Sequence, residues 1–388
     1  MHIEFFAVWW ASLVVAVPLY WLIPRRFSGF RLAIPVTVSI TLIALLSVQL
    51  LVIVLIYNFF VAGVLAAYRR GVRKDTIRYL SWASFLLMFL FRLLPEEVLS
   101  AGHLSGALFS PAESDTLILL SASYLALRAF IVLRESITRS PPGAKEVVGT
   151  LVFGGSFLFG PVVGATAWME RRDSLSRRWV GRAIYRIFLG VLMVVFMEPF
   201  IREFDFIWVF ALPTDPTFRA WFEIYIGYIT FYLIFAGYTN VAIGLGMLYG
   251  VKLPENFNYP FLATSIKDFW RRWHISLADF VKKYLFLPFV RRTGNPYLGL
   301  IVAFMAVGVW HAQSAPYLIW GVGHGVALAI NLYITRTFDF SNTRFRYLQI
   351  AAGWAFTLTY VGVLSTLAKQ DTLADVGDKA LVLLGLTP

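Results

Sequence analysis

Apolar stretches long enough to cross a bilayer alternate with short polar connections along this chain: residues 5–24, 32–67, 79–94, 117–133, 183–200, 220–250, 298–335 and 347–368. A hydrocarbon core about 30 Å thick takes roughly 20 helical residues, so 32–67 is long enough for two helices. The pattern predicts an all-α, polytopic integral membrane protein with about nine to eleven membrane segments. No internal repeat, low-complexity tract or long linker interrupts it, so residues 1–388 read as one membrane domain. The first run has no basic stretch ahead of it and is followed directly by Pro24, Arg25 and Arg26. It is therefore expected to be a retained helix and not a removed signal.

The polar connections carry an orientation. Arg69, Arg70, Arg73, Lys74 and Arg78 mark one connection as cytoplasmic, whereas 95–116 holds Glu96, Glu97, Glu113 and Asp115 and no Lys or Arg. Working outward places the N-terminus outside, Arg25–Arg31 and Arg134–Lys145 inside, 201–219 outside, Lys252–Arg292 inside and the last ~20 residues outside. Alternation fails once. Residues 147–168 would have to cross, yet Arg171, Arg172, Arg177, Arg178, Arg182 and Arg186 follow and demand the cytoplasm. The middle of that segment reads FGGSFLFGPVVG, and its glycines and Pro161 break a spanning helix, so a re-entrant hairpin buried in protein is expected.

Composition agrees with the pattern: the chain is 59% hydrophobic and 14% charged, against about 45–50% and 25% in soluble domains. The net charge of +12 sits in the short connections, where membrane orientation accounts for it without nucleic acid. The absence of cysteine excludes disulfides, thiolate nucleophiles and Cys-based metal sites, and no metal site is expected.

Candidate chemistry enters with the histidines. From Ser265 the pattern SIKDFWRRWHISLADFVKKY is helical, with a serine cap and Asp268 three residues on. Phe269, Trp273, Leu277, Phe280 and Tyr284 form one stripe and Arg271, Arg272, Asp279, Lys282 and Lys283 the other, which predicts an interfacial helix with its apolar side on the bilayer. His274 borders the apolar side, where it reads either as a hydrogen-bonded structural residue or as a functional one. The cations, with Arg291 and Arg292, suit either lipid headgroups or the phosphates of a ligand. His311 is the stronger candidate. It stands in GVWHAQSAPYLIWGVGHG, in a region with no charged side chain between Arg292 and Arg336, where an imidazole is costly unless bonded or used. His324, between Gly323 and Gly325, reads as a packing contact in a seam of small residues.

Together WRRWHISL at 270–277, the Trp310–His311 pair and IWGVGHG at 319–325 resemble the membrane-bound O-acyltransferase family, specifically its bacterial cell-envelope branch. FAGYTNVAIGLGMLYGVKLPENFNYPF at 235–261 resembles the segment ahead of the branch's first histidine, and FLFGP at 157–161 its buried Gly-Pro segment. SYLALRAF at 123–130 resembles an upstream helix of the teichoic acid D-alanyl transferases. The resemblance covers most of residues 120–325. It implies helices around a central tunnel, with residues 117–335 as the catalytic core between N-terminal helices 1–116 and C-terminal helices 336–388.

The resemblance further implies a thioester donor entering from the cytoplasm and a hydroxyl acceptor from outside, in the cytoplasmic membrane of a bacterium. His311 matches the family's catalytic histidine and His274 its second functional histidine. An alcohol needs a base to become a good nucleophile, a task that suits neutral imidazole and is assigned here to His311. His274 is expected to position the donor or polarise its carbonyl, with Asn240, Asn258 and the indoles of Trp273 and Trp310 as candidate contacts to substrate. Arg271, Arg272, Lys282 and Lys283 would face the donor's phosphates. No permanently bound cofactor is expected.

Two donors compete: acetyl-coenzyme A, as in the alginate O-acetyltransferase type, and an aminoacylated phosphopantetheinyl carrier protein, as in the D-alanyl transferase type. SYLALRAF and the compact stretch after His311 favour the carrier protein, WRRWHISL and LPFV the acetyl donor. The acceptor would be an extracytoplasmic glycan, with a second acyl-relay protein as a further partner. The sequence departs from the family's pattern at Ala312, where glycine is usual, and at Lys282-Lys283-Tyr284, where Arg-Asp-Tyr is usual. The other readings are a lipid- or protein-acylating member of the family and, from another class, a transporter or channel. The predicted spans hold no string of carboxylates for ion coupling, which weighs against transport.

Overall fold

The long apolar run 32–67 divides at a single serine. In the computed structural model, which describes residues 3–92, 111–156, 160–203, 215–338 and 346–386, Ser47 is extended and its hydroxyl accepts from the Leu50 amide at 3.3 Å. That side chain caps a new helix, so the run forms α2 (Ser28–Leu46) and α3 (Val48–Arg69), after α1 (Ile3–Leu22). There follow α4 (Lys74–Arg92), α5 (Pro111–Ser136), α6 (Ala144–Val152) and α7 (Arg177–Val191), which continues through a π turn at Leu192–Met197. The remaining helices are α8 (Pro216–Leu248), α9 (Ile266–Arg272), α10 (Ile275–Val281), α11 (Leu287–Thr293), α12 (Pro296–His311), α13 (Ala315–Thr337), α14 (Arg346–Leu367) and α15 (Leu373–Leu383). The described residues are helical without a named strand, as predicted.

Among the described residues, five helices are long and apolar enough to cross a membrane: α3, Arg177–Glu203, α8, α13 and α14. The apolar helices Trp9–Leu22, Phe30–Leu46 and α12 are shorter. Outward faces are greasy, as lipid requires: on α1, Leu13, Ala16 and Tyr20 are buried while Val15, Leu19 and Leu22 are exposed. Much of the predicted external connection 95–116, residues 157–159 of the predicted break and 204–214 of the external segment 201–219 lie outside the described residues.

The chain forms two compact units, Met1–Val195 with Gly237–Pro254, and Phe196–Ala236 with Glu255–Pro388. In the first, the segment expected to be re-entrant is broken and buried. Its helix α6 has only nine residues, about 14 Å at 1.5 Å per residue, and it ends in a 3₁₀ turn at Gly154–Ser156. Side chains satisfy the backbone that no helix does. Trp9 Nε1 donates to the Gly154 carbonyl at 3.1 Å, the Ser39 hydroxyl accepts from the Gly154 amide at 2.8 Å, and buried Arg128 donates to the carbonyls of Thr150 and Ser156. Irregular backbone at membrane depth survives only with such partners.

In the second unit the predicted helix 265–284 is not continuous, which corrects the sequence reading. Ser265 does cap α9, accepting from the Asp268 amide at 3.1 Å. The helix then stops: Trp273 is extended and His274 left-handed (φ 44°, ψ 53°), and α10 begins afresh at Ile275. The apolar stripe is also not lipid-facing. Phe269, Trp273, Leu277, Phe280 and Tyr284 are all buried within the protein, because the aromatic rings of α8 (Tyr228, Phe231, Tyr232 and Phe235) close over Trp273 at 5.2 to 6.4 Å between ring centroids. Helices α12 and α13 pack so closely that a Cβ on Gly321 would stand 2.4 Å from the Phe304 carbonyl oxygen. This is the small-residue seam expected around His324.

Candidate functional site

His274 owes its position to the segment ahead of α9. The Ile275 amide donates to the Asn256 carbonyl and the Asn258 amide to the Arg272 carbonyl, each at 2.9 Å. This pairing pulls the chain out of helix at Trp273 and His274. A non-glycine residue in the left-handed region costs roughly 1–2 kcal/mol, which the Asn256 side chain offsets. Fully buried, its Oδ1 accepts from the Ser276 amide at 3.3 Å and the Ser276 hydroxyl at 2.8 Å, and lies 3.1 Å from His274 Nδ1. An oxygen already accepting from an amide faces a protonated nitrogen, so Nδ1 carries the proton of His274 and Nε2 its basic lone pair.

Burial holds the His274 imidazole well below its ordinary pKa, and the nearby His311 imidazole pushes it the same way. His274 is therefore neutral in the fold near pH 7, whereas in the unfolded chain it takes up a proton below about pH 6.5. A group whose folded value is depressed loses stability as pH falls below the unfolded value, by up to ~1.4 kcal/mol per pH unit. Thermal unfolding of the detergent-solubilised protein is expected to occur at lower temperature as pH falls from 7 to 5, and to shift less in His274→Asn. Equal shifts would show that His274 is already charged in the fold.

His274 lines an elongated cavity of about 190 Å³ that lies wholly within the second unit. Along α8 its wall runs from Glu223 to Phe235, about 18 Å at 1.5 Å per residue. Glu223, Ser365, Thr366 and Lys369 are polar residues of this wall, and Trp273, His311, Tyr317, Trp320 and His324 also line it. His311 ends α12 with an exposed side chain, its ring 4.7 Å from that of Trp310 and 5.3 Å from that of Trp320. His311 thus presents its imidazole at an open helix end, while His274, buried and neutral, is suited to accepting a hydrogen bond.

The other predicted site residues fall outside the cavity wall. Trp310 is buried behind His311. Asn240 belongs to the first unit, where Arg186 Nη1 donates to its Oδ1 at 2.5 Å. Asn258 is exposed. Arg271 and Arg272 clamp the Asp268 carboxylate at 2.6 and 2.9 Å, and Lys282 and Lys283 are exposed. Asn256, whose side chain holds His274 and Ser276, is the residue of this site that sequence reasoning missed. In PENFNYP nothing separates the fully buried Asn256 from the exposed Asn258 two residues on.

Comparison with known proteins gives this geometry a context. Residues 36–366 match the model of the MBOAT, membrane-bound O-acyltransferase family. The chain is 38% identical over 141 residues to the peptidoglycan O-acetyltransferase of Helicobacter pylori, covering 34% of the chain and 25% of that protein. It is 37% identical over 167 residues to a Pseudomonas putida protein named "Probable alginate O-acetylase AlgI", covering 42% of the chain and 33% of the relative. To the teichoic acid D-alanyltransferase of Bacillus subtilis it is 35% identical over 157 residues, covering 37% of the chain and 39% of the relative. The chain thus spans between a quarter and two fifths of these relatives' lengths.

Proposed function

Because the chain belongs to the membrane-bound O-acyltransferase family, we propose that it moves a small acyl group from a cytoplasmic thioester to a hydroxyl of an extracytoplasmic cell-envelope polysaccharide. The observation that carries this reading is the single cavity lined by both His274 and His311, with Glu223, Ser365, Thr366 and Lys369 also in its wall. At about 190 Å³ it is smaller than the roughly 300–1,000 Å³ pockets that enclose drug-sized ligands. That size suits an acetyl or alanyl group and disfavours a long fatty chain.

In the proposed reaction the acceptor hydroxyl lies against His311, whose imidazole takes its proton as the oxygen attacks the thioester carbonyl carbon. The tetrahedral intermediate collapses with cleavage of the C–S bond, and the proton passes from the imidazolium to the leaving thiolate. His274, with its lone pair on Nε2, orients a hydroxyl or amine by accepting its hydrogen bond. A neutral His274 in this tautomer has no N–H left for the carbonyl, so polarisation falls to another group.

The donor is coenzyme A or a phosphopantetheinyl carrier protein, received by the exposed cations Lys282, Lys283, Arg291 and Arg292. The acceptor is a glycan, reached directly or through a second acyl-relay protein, and the membrane is the bacterial inner membrane. The test is transfer by the purified protein in liposomes, with labelled acetyl-coenzyme A and a D-alanylated carrier protein offered separately with a polysaccharide acceptor. Label reaching the acceptor's hydroxyls from one donor identifies it. Label reaching lipid alone would reassign the acceptor, and no transfer from either would remove the proposal.

A further inference from the structure

His324 lines the same cavity and is fully buried. Its Nδ1 lies 3.3 Å from Trp270 Nε1. An indole N–H only donates, so Nδ1 accepts and the ring proton resides on Nε2. Among the described residues that Nε2 is buried without a hydrogen-bond partner. The two buried histidines of this unit thus hold opposite tautomers: His274 offers a lone pair, His324 an N–H.

Buried donors nearly always find partners, and a fixed neutral one without any invites a functional account. The geometry supplies one. The Trp320 ring stands 5.3 Å from that of His311 and 4.7 Å from that of His324, so the two imidazoles lie within about 10 Å of each other. A hydroxyl bonded to its base, the carbonyl it attacks and a donor to that carbonyl's oxygen span two hydrogen bonds of about 3 Å and the reacting atoms between them. A separation no greater than this keeps His311 and His324 within reach of one such substrate.

Resting on the transfer reaction above, we propose that His324 is a further catalytic residue, whose Nε2–H donates to the thioester carbonyl oxygen as negative charge develops on it. Trp270 is its positioning residue, fixing the tautomer from the other side of the ring. The neutral imidazole supplies this hydrogen bond without a charge in an apolar wall. No proton leaves it, since the oxyanion re-forms a carbonyl when the C–S bond breaks.

The test combines kinetics with a spectroscopic signature. His324→Phe keeps a flat ring and removes the donor; kcat is expected to fall about 10²–10³-fold with KM little changed. His324→Gln keeps an amide N–H at that reach and should recover most of the loss, while Trp270→Phe, which frees the tautomer, should lie between. In protein inactivated by His311→Ala, the carbonyl stretch of bound acetyl- and D-alanyl-pantetheine, ¹³C-labelled at the thioester carbonyl, should move to lower frequency. The shift should vanish when His324→Phe is added. A thioester that binds with the same carbonyl frequency in both backgrounds would overturn the role of His324 alone, as would a His324→Phe enzyme with wild-type kcat. Failure of both thioesters to bind would overturn the transfer reaction and this role together.

Discussion

Acyl transfer in the liposome assay is expected to fall about 10²–10⁴-fold in His311→Ala, the range general-base catalysis contributes, with KM for the donor little changed. The side chain is exposed to the cavity at the end of α12, so its removal leaves no hole in the core and the melting temperature should stay near that of the wild type. That combination separates chemistry from folding. His274→Ala should behave differently, because His274 is buried, ends a backbone pairing and shares Asn256 with Ser276. It should lose stability and activity together. Undiminished transfer in His311→Ala would move the base elsewhere, and His274 Nε2 would be the remaining candidate.

The division between what the sequence made legible and what it hid follows from range. Helix-forming runs are local, so α1 to α3, α8, α13 and α14 are readable from apolar length. The broken segment 147–168 was legible because glycines, Pro161 and the arginines after it conflicted with a span. The break at His274 was not legible. WRRWHISL contains no glycine or proline, its 3.6-residue periodicity continues through the break, and the cause lies in pairing with residues 256–258. The same non-local packing buried a stripe that amphipathicity alone assigns to lipid. His274 and His311 could be singled out because histidine is rare in such surroundings, whereas Asn256 could not, since its distinction from Asn258 exists only in the fold. In sequence His324 reads as packing, and the glycines beside it do pack; its tautomer depends on Trp270, 54 residues away.

Asn256 is where the other large effect is expected. In Asn256→Leu the size is kept and the acceptor lost, stranding His274 Nδ1, the Ser276 amide and the Ser276 hydroxyl. Each buried donor left without a partner costs about 1–3 kcal/mol, and the left-handed turn at His274 loses the side chain that offsets its strain. The variant should therefore melt much lower, and any folded fraction should turn over about 10²-fold more slowly, since a displacement near 1 Å is enough for that loss. Asn256→Asp provides the contrast that geometry alone does not. The carboxylate still accepts from all three donors, so the turn should persist, but a negative charge beside Nδ1 raises the His274 pKa and favours the imidazolium. Below that raised value Nε2 is protonated and no longer accepts a hydrogen bond. Transfer by Asn256→Asp should then be weak at neutral pH and rise as pH increases, while the wild type, whose His274 is neutral throughout, shows no such rise from this group. Matching profiles would mean that His274 does not act through its Nε2 lone pair, and Asn256 would be left with the fold alone.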